Sequence, residues 1–522
     1  MEDPQSNIVV IGAGVGGLAT AMLLSGNGAR VTVVEAADAP GGKMRTLPSA
    51  AGPIDAGPTV LTLRPVFEEL FASAGSRLED HVTLHREPCL ARHFWPDGTC
   101  LDLYDDPSES AAEVRAVFGT RVEAEFLRFS ANARALFEAF DAPLMRAPDP
   151  APIKLAVAMA SRPRLLAKMG AFRSMARQLA SEFSEPKLRQ LFGRYATYVG
   201  GSPDESPAVL RLIAHAEAAG VWRIAGGMGA LARAMAKVAE ANGTVFRYGQ
   251  VADRLEIQSG RIVAVHLAAG GRIPASRAVF NGDPRALLEG KLGAAALEAV
   301  PRKAVEPRSL SANVWAFAAR ARGAALRHHN VFFGDDPRLE FDPISAGFPP
   351  EDPTLYVCAQ DRGTGETPPE TERFEIIMNA PPLPGGKPED IALCRTRTFP
   401  VLARRGLRFS PEPPDAALTT PWGFNALFPA SQGSLYGRSP HGQMAAFARP
   451  RARTSLPGLY LAGGGAHPGA GLPMAALSGR HAAEAILTDL ASTSASRQTA
   501  TRGGISTGSP IVAPARSRSS PS

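Results

Sequence analysis

Short, wholly apolar runs in this chain alternate with long stretches whose apolar residues recur at helical spacing. Residues 7–11, NIVVI, are apolar, brief and followed by glycine, which predicts a buried strand. The run from Val15 to Leu24 predicts a helix, and ARVTVVE, ending at Glu35, a second strand. That order is a parallel βαβ unit. The pattern returns twice. LARAMAKVAEANG (231–243) predicts an amphipathic helix, followed by strand-like VFRYG, VADRLEIQ and AVFNGDP (278–284). LYLAGGGAHPGAGLPMAALSGRHAAEAIL (459–487) reads as strand, glycine-rich loop and helix.

Two long insertions separate these segments. Residues 85–220 are mostly helical by pattern, as in VRAVFGTRVEAEFLRFSANARALFEAF. Residues 296–415 alternate like strands: LSANVWAFAA, LYVCAQ, FEIIMNAPP. The chain is therefore expected to be α/β. One discontinuous nucleotide domain takes 1–84, 221–295 and 416–490, and 85–220 with 296–415 makes a mixed-sheet substrate domain with a helical cap. Residues 491–522, rich in Ser, Thr, Arg, Pro and Gly, are expected to form a disordered tail.

Composition narrows the function classes. The chain has 522 residues and a net charge of +6. Its cations are spread out and no reader motif accompanies them, so nucleic-acid binding is not expected. No apolar run is long enough to cross a bilayer, and MEDPQS does not resemble a signal peptide, so a cytoplasmic protein is expected. Cys89, Cys100, Cys358 and Cys394 form no CxxC pair, so reduced thiols and no metal site are expected. One stretch, 152–180, carries Lys154, Arg162, Arg164, Lys168, Arg173 and Arg177 with no acid, and apolar residues fill the gaps. Such a stretch suits either a solvated cap or an anionic bilayer surface.

Candidate chemistry begins at Gly12, Gly14 and Gly17, spaced as GxGxxG between strand and helix, with Gly16 among them. Gly12 permits a tight turn, Gly14 lets backbone approach a pyrophosphate, and Gly17 lets helix and strand pack closely. Glu35, beside Ala36, can accept hydrogen bonds from ribose hydroxyls. In APGGKMRT (39–46), Gly41 and Gly42 make a turn, and Lys43 and Arg45 place cations near the phosphates.

The stretch GGKMR resembles the GG-x-x-R element of the flavoproteins that include amine oxidases, protoporphyrinogen oxidases and carotenoid desaturases. Asp55-Ala56-Gly57-Pro58-Thr59 resembles the D-x-G-P-T segment of the carotenoid desaturases, and AGGGAHPGAGLPMA resembles their C-terminal signature. The resemblance implies a Rossmann-like FAD-binding domain of amine oxidase and GDI-like architecture, with FAD as the cofactor. It implies cofactor contacts at Gly57, Pro58, Thr59, Gly464, Pro473 and Met474, and a backbone contact to adenine at Val251. His467 is expected to be structural, and no catalytic side chain is assigned.

FGRYATYVGGSP, GRSPHGQ (437–443) and AGGGAHPGAGLPMAALSGRH are most similar to the branch that desaturates C-3,4 of 1-hydroxylated acyclic carotenoids. That branch implies a long apolar hydroxylated substrate and hydride transfer to flavin N5. Proton loss from the resulting polyene-stabilised cation needs only a weak base. A single dinucleotide fingerprint implies that oxygen or a quinone removes the electrons. An insoluble substrate implies peripheral attachment to the inner, photosynthetic membrane. Phe332, Phe333 and Phe424 are candidate cavity-lining residues, and Tyr195, Tyr198 and Trp222 are candidates for either core or tunnel. His93, Arg194 and His215 are candidate partners for the hydroxyl. The alternatives are a phytoene desaturase, an amine oxidase, or a flavin-free carrier of prenylated proteins.

Overall fold

Strand β1 (Asn7–Ile11) lies at the centre of a five-stranded parallel sheet in the computed structural model of the chain. The structure describes residues 7–502 except 152, 154–156, 158–167, 171, 364, 366 and 384–389, with side chains as far as 492. Helix α1 (Val15–Gly26) leads to β2 (Arg30–Val34) on one side of β1. The other strands are β3 (Val245–Arg247), β4 (Arg277–Phe280) and β5 (Leu459–Leu461), giving the order β5-β4-β1-β2-β3. Val9 sits opposite both Thr32 and Ala278, so stretches far apart in the chain share one register.

Both faces of this sheet are covered, which explains why its strands are apolar throughout. Ile8 and Val10 pack with α1, α2 (Met228–Ala241) and α3 (Leu472–Arg502). Val9 and Ile11 face a small antiparallel sheet, Ala252–Gln258, Arg261–Leu267 and Arg272–Pro274. Helix α1 is buried from Gly16 to Ser25 because α3 crosses its outer side. Glycine makes that crossing close: a Cβ on Gly479 would lie 2.2 Å from the Gly16 carbonyl oxygen. Thr20 Oγ1 donates to the carbonyls of both Gly16 and Gly479, at 2.8 and 3.0 Å. Helix α3 runs to Arg502, beyond residue 491 where composition places the end of the ordered chain; residues 503–522 lie outside the described residues.

The second layer is a mixed sheet. Its main path runs Leu407–Ser410, Ser311–Gly323, Glu372–Ala380, Leu355–Ala359, His329–Phe332, Cys89–Phe94, Cys100–Tyr104. The pairing of His329–Phe332 with Cys89–Phe94 is parallel, and the other pairings along this path are antiparallel. Strands from both insertions thus join in one sheet. Helices Thr120–Phe140, Met175–Glu182 and Pro186–Gly193 pack beside it around an aromatic knot, in which Phe192 lies 4.3 Å from Phe129 and 5.3 Å from Phe183 between ring centroids. Of the basic stretch 152–180, Lys154, Arg162 and Arg164 lie outside the described residues. All four cysteines are free.

Candidate active site

The loops that leave β1, β2, β4 and β5 surround one end of a cavity of about 1340 Å³. At its floor three glycine-rich turns meet. Gly12 has φ +101°, open to glycine at little cost. A Cβ on Gly14 would lie 2.9 Å from Asn281 Nδ2, and one on Gly16 only 2.5 Å from the Gly463 nitrogen. Asn281 donates to the Gly12 carbonyl at 3.2 Å, so it pins the first turn against the loop after β5. Gly42, at φ +57°, brings the GGKMR turn against Gly14: its Cβ would lie 3.1 Å from Gly14 Cα. Glu35 accepts from the Ala13 nitrogen at 2.5 Å and the Ala37 nitrogen at 2.8 Å, which fixes its carboxylate at the cavity edge beside Ala36, Gln250 and Val251. The Gln250 Oε1 is buried with no partner.

Every residue predicted from sequence to contact the cofactor lines this cavity except Gly17. The first turn, the GGKMR turn, Gly57-Pro58-Thr59, Val251, Gly464, Pro473 and Met474 all converge there. Gly17 lies behind them. A Cβ on it would meet the Gly12 carbonyl at 2.1 Å, so its role is to let α1 close on the turn.

Asp55, at the head of the DAGPT segment, acts from the side. Its carboxylate accepts from the Met228 nitrogen at 2.8 Å, satisfying the first turn of α2. Its backbone exchanges hydrogen bonds with the Gln360 amide at 3.0 and 2.9 Å, so one residue ties the loop to both layers. Asp55→Ala is expected to lower stability by about 1–2 kcal/mol, because it orphans a helix-terminal N–H. Urea denaturation of the two proteins measures this.

Cations crowd one wall. Lys43 Nζ donates to the Leu435 carbonyl, and Arg449 donates to the carbonyls of Tyr436 and Gly464 at 2.8 and 2.9 Å. Arg308 pairs with Asp283, and both are buried. Burial, with repulsion from Arg308 and Arg449 and only Asp283 to offset it, lowers Lys43 to about 8. Burial with repulsion from Arg438 and Arg308 lowers Arg449 to about 10. The strain of gathering these cations around one carboxylate is relieved by an anionic ligand such as a diphosphate. Further in, Arg45 donates to Thr419 Oγ1 at 2.7 Å and lies over the Phe424 ring, and its Nε–H is buried without a partner. His467 Nε2 donates to the Ala147 carbonyl, 2.8 Å away, and the ring stacks on His481. It ties the glycine loop to the cap and does not line the cavity.

From the glycine floor the cavity continues between the mixed sheet and the helical cap. Val314 and Ile377 line it on one side, and Phe137, Phe140, Leu212 and Ile213 on the other. Two polar groups interrupt this apolar wall. Tyr356 OH lies 2.7 Å from both Thr59 Oγ1 and His329 Nδ1. Arg194 donates to Tyr198 OH at 2.7 Å, and Tyr198 donates to Glu217 Oε1 at 3.1 Å. Phe424 lines the cavity, as expected. Phe332 and Phe333 do not: they stack on Phe94 at 4.5 Å and Trp95 at 4.9 Å inside the core. Phe332 ends its strand and packs into one core cluster, and Phe333, just beyond it, packs into another on the opposite side. Tyr195 is likewise core, whereas Tyr198 reaches the cavity. Of the three candidates for the hydroxyl only Arg194 lines it; His93 is buried against Phe333, and His215 packs edge-on to Phe137.

Sequence reasoning also missed a grouping. His328, His329 and Cys358 place possible metal-ligating atoms within 4.8 Å of one another. His328 Nδ1 is engaged by the Arg362 carbonyl at 2.8 Å, and its Nε2 lies 3.6 Å from Cys358 Sγ. His329 Nδ1 is held by Tyr356, leaving its buried Nε2 free, but three donors with no fourth in the set fall short of a closed structural site. Asn281, Asp283, Arg308 and Arg449 were missed as well. They are single polar residues with no motif spacing to mark them.

Comparison with known proteins agrees with this geometry. The family model described as flavin containing amine oxidoreductase matches residues 15–380 and 390–487. The chain is 56% identical to the hydroxyneurosporene desaturase of Cereibacter sphaeroides, over 93% of this chain and 98% of that protein. It is 53% identical to the hydroxyneurosporene desaturase of Rhodobacter capsulatus, with the same two coverages. An oxidoreductase from Methanosarcina mazei shares the fold at TM-score 0.57 and 17% identity, covering 92% of this chain and 100% of that one. With glycine turns, cationic wall and apolar cavity in one place, and relatives matched along nearly their whole length, the chain belongs to the flavin containing amine oxidoreductase family, in its carotenoid desaturase branch.

Proposed function

We propose that this protein is an FAD-dependent desaturase that introduces a C-3,4 double bond into a 1-hydroxylated acyclic carotenoid such as 1-hydroxyneurosporene. The observation that carries this reading is the single cavity that runs from the glycine floor to an apolar mouth. The residues fit FAD. Gly12, Gly14 and Gly16 admit a diphosphate, Lys43 and Arg449 face its charge, Glu35 takes the ribose, and Val251 the adenine. Gly42, Arg45, Gly57, Pro58, Thr59, Gly464, Pro473 and Met474 would surround the ring and its linker. On this reading 1–84, 221–295 and 416–490 form the cofactor domain, and 85–220 with 296–415 the substrate domain.

Bound there, FAD supplies an acceptor for the hydride that leaves the allylic carbon. The protein's part is mainly positional. Its apolar walls hold a rigid polyene at one depth and exclude water from the cation that forms. Because the polyene spreads that charge, the neighbouring carbon loses its proton to a weak base. Oxygen or a quinone then takes the electrons. The test is anaerobic. Mixing flavin-loaded protein with 1-hydroxyneurosporene should bleach the flavin and yield a carotenoid absorbing further to the red. Flavin that stays oxidised, with unchanged pigment, refutes the reading.

The substrate must enter from a membrane, and the mouth suits one. Ile153, Phe172 and Met444 line the cavity, yet are 79%, 89% and 58% exposed. Among the described residues no helix is long and apolar enough to cross a bilayer, so attachment would be peripheral, at the inner membrane. Phe172→Asp combined with Met444→Asp should cut co-sedimentation with anionic vesicles by roughly tenfold. Unchanged sedimentation excludes this mouth as the docking face.

A further inference from the structure

A buried charge pair beside an otherwise apolar cavity needs a reason. Arg194 and Glu217 are each 8% exposed, and both line the cavity. They lie on different elements, a short helical turn at Arg194–Val199 and the helix Leu212–Ala218. Burying two ions costs more than a pair of well-packed apolar residues of similar volume. Tyr198 stands between them. Its hydroxyl accepts from Arg194 and donates to Glu217, while Tyr195 donates to the other carboxylate oxygen. The Arg194 guanidinium also lies over the Tyr198 ring, 4.9 Å from its centroid. A phenol has one donor and two acceptor sites, so this arrangement leaves one lone pair of Tyr198 unused. The Arg194 Nε–H is buried without a partner. The group therefore holds an unfilled acceptor and an unfilled donor, the complement of an alcohol.

Its position matters as much as its chemistry. If C3 and C4 react, the hydroxyl oxygen on C1 is only three bonds from C3. Its receptor must sit beside the reacting ring, not at the far end of a long tunnel. Thr59 adjoins Gly57 and Pro58 and hydrogen-bonds Tyr356, and Tyr356 and Tyr198 pack against the same buried cluster and line the same cavity. The polar group thus follows directly from the floor of the cavity.

We propose that Tyr198 is the residue that hydrogen-bonds the C1 hydroxyl of the substrate, with Arg194 and Glu217 as positioning residues that hold its phenol in place. This rests on the desaturase reading above and names the feature by which the site selects a hydroxylated chain. A hydrocarbon lacking the hydroxyl would leave the group unpaired in a desolvated site, which costs binding.

The experiment compares 1-hydroxyneurosporene with the same hydrocarbon lacking its hydroxyl, using flavin-loaded wild type and Tyr198→Phe. Binding is read from perturbation of the flavin spectrum in oxidised holoenzyme, and turnover from pigment analysis. In Tyr198→Phe the affinity for the hydroxylated carotenoid should fall roughly ten- to hundredfold, while that for the hydrocarbon stays the same. Flavin content should not change. Arg194→Met should show the same loss of preference, and Arg194→Lys should restore part of it; this pair decides the matter if Tyr198→Phe does not fold. A wild-type preference that survives in Tyr198→Phe and Arg194→Met, or equal losses for both carotenoids, overturns the assignment and leaves the desaturase reading intact. A wild type that neither binds nor oxidises either carotenoid sinks the desaturase reading itself.

Discussion

Purified Gly16→Val protein is expected to be colourless. The first side-chain carbon would lie 2.5 Å from the Gly463 nitrogen and 2.8 Å from its Cα, both backbone atoms that no rotamer change can move. Relief requires the loop after β5 to retreat from the first glycine turn, opening the place where the two ends of the chain meet. Overpacking of this kind costs about 1–3 kcal/mol, which is roughly ten- to hundredfold in cofactor affinity if the apoprotein relaxes and the complex cannot. Thermal stability should fall too, since Gly16 also carries the close crossing of α1 with α3 at Gly479. Gly464→Ala is the informative comparison. Nothing lies within 4 Å of its added carbon, although the residue lines the cavity. The apoprotein should melt like wild type, and loss of flavin would then report contact with the cofactor alone. Absorbance of the purified proteins near the flavin band, with melting curves of stripped samples, separates the two. A yellow Gly16→Val protein at full flavin content would refute the convergence of the two loops.

FAD binding is expected to weaken above about pH 8 through Lys43. This side chain lines the cavity and is open to it, and desolvation there lowers it from an ordinary 10.5 to about 8. Below that value the ammonium is ready to face a diphosphate. Above it the free protein holds a neutral amine that must take up a proton on binding. The dissociation constant should therefore be level up to about pH 8 and then rise, approaching tenfold per pH unit, until the titration of the complex is passed. Stability of the apoprotein moves the other way. Because the folded pKa is below the unfolded one, the unfolded chain binds more protons between about 8 and 10.5, and this group's contribution to stability rises with pH across that window. Fluorescence titration with FAD from pH 7 to 9.5 measures the first effect, and Lys43→Met should bind more weakly throughout with no such rise. A wild-type curve level to pH 9.5 removes Lys43 from the phosphate site.

What was legible in the sequence was what is local. Strand, glycine turn, helix and acid occur within 29 residues of one another between Asn7 and Glu35, and hydrophobic period alone marks them. The loop from Ala462 to Met474 is equally compact. Groups assembled from distant places left no trace. Asn281 matters because the fold sets it between Gly12 and Gly463, and nothing in AVFNGDP announces that. Arg308 and Asp283 are 25 residues apart, and their shared burial is decided by the loop that carries Ser431. Phe332 and Phe333 show a different limit. The apolar run marks a strand ending at Phe332, but the sheet is packed with apolar side chains on both sides there, so pattern alone cannot tell which residues meet substrate. Arg194 was named only as one of three candidate partners for the hydroxyl, and Glu217, which Tyr198 links to it, sits in an ordinary helical pattern.

The lateness of β5 and α3 has a consequence for biogenesis. Helix α1 is synthesised within the first 26 residues, yet the helix that shelters its outer side starts at residue 472. At a translation rate of about 5–20 residues per second, the ribosome needs roughly twenty seconds to a minute and a half to span that interval. Throughout that time the outer side of α1 lacks the helix that covers it in the finished fold. The cofactor floor, which needs the loop at Gly463, can close only when synthesis is nearly complete.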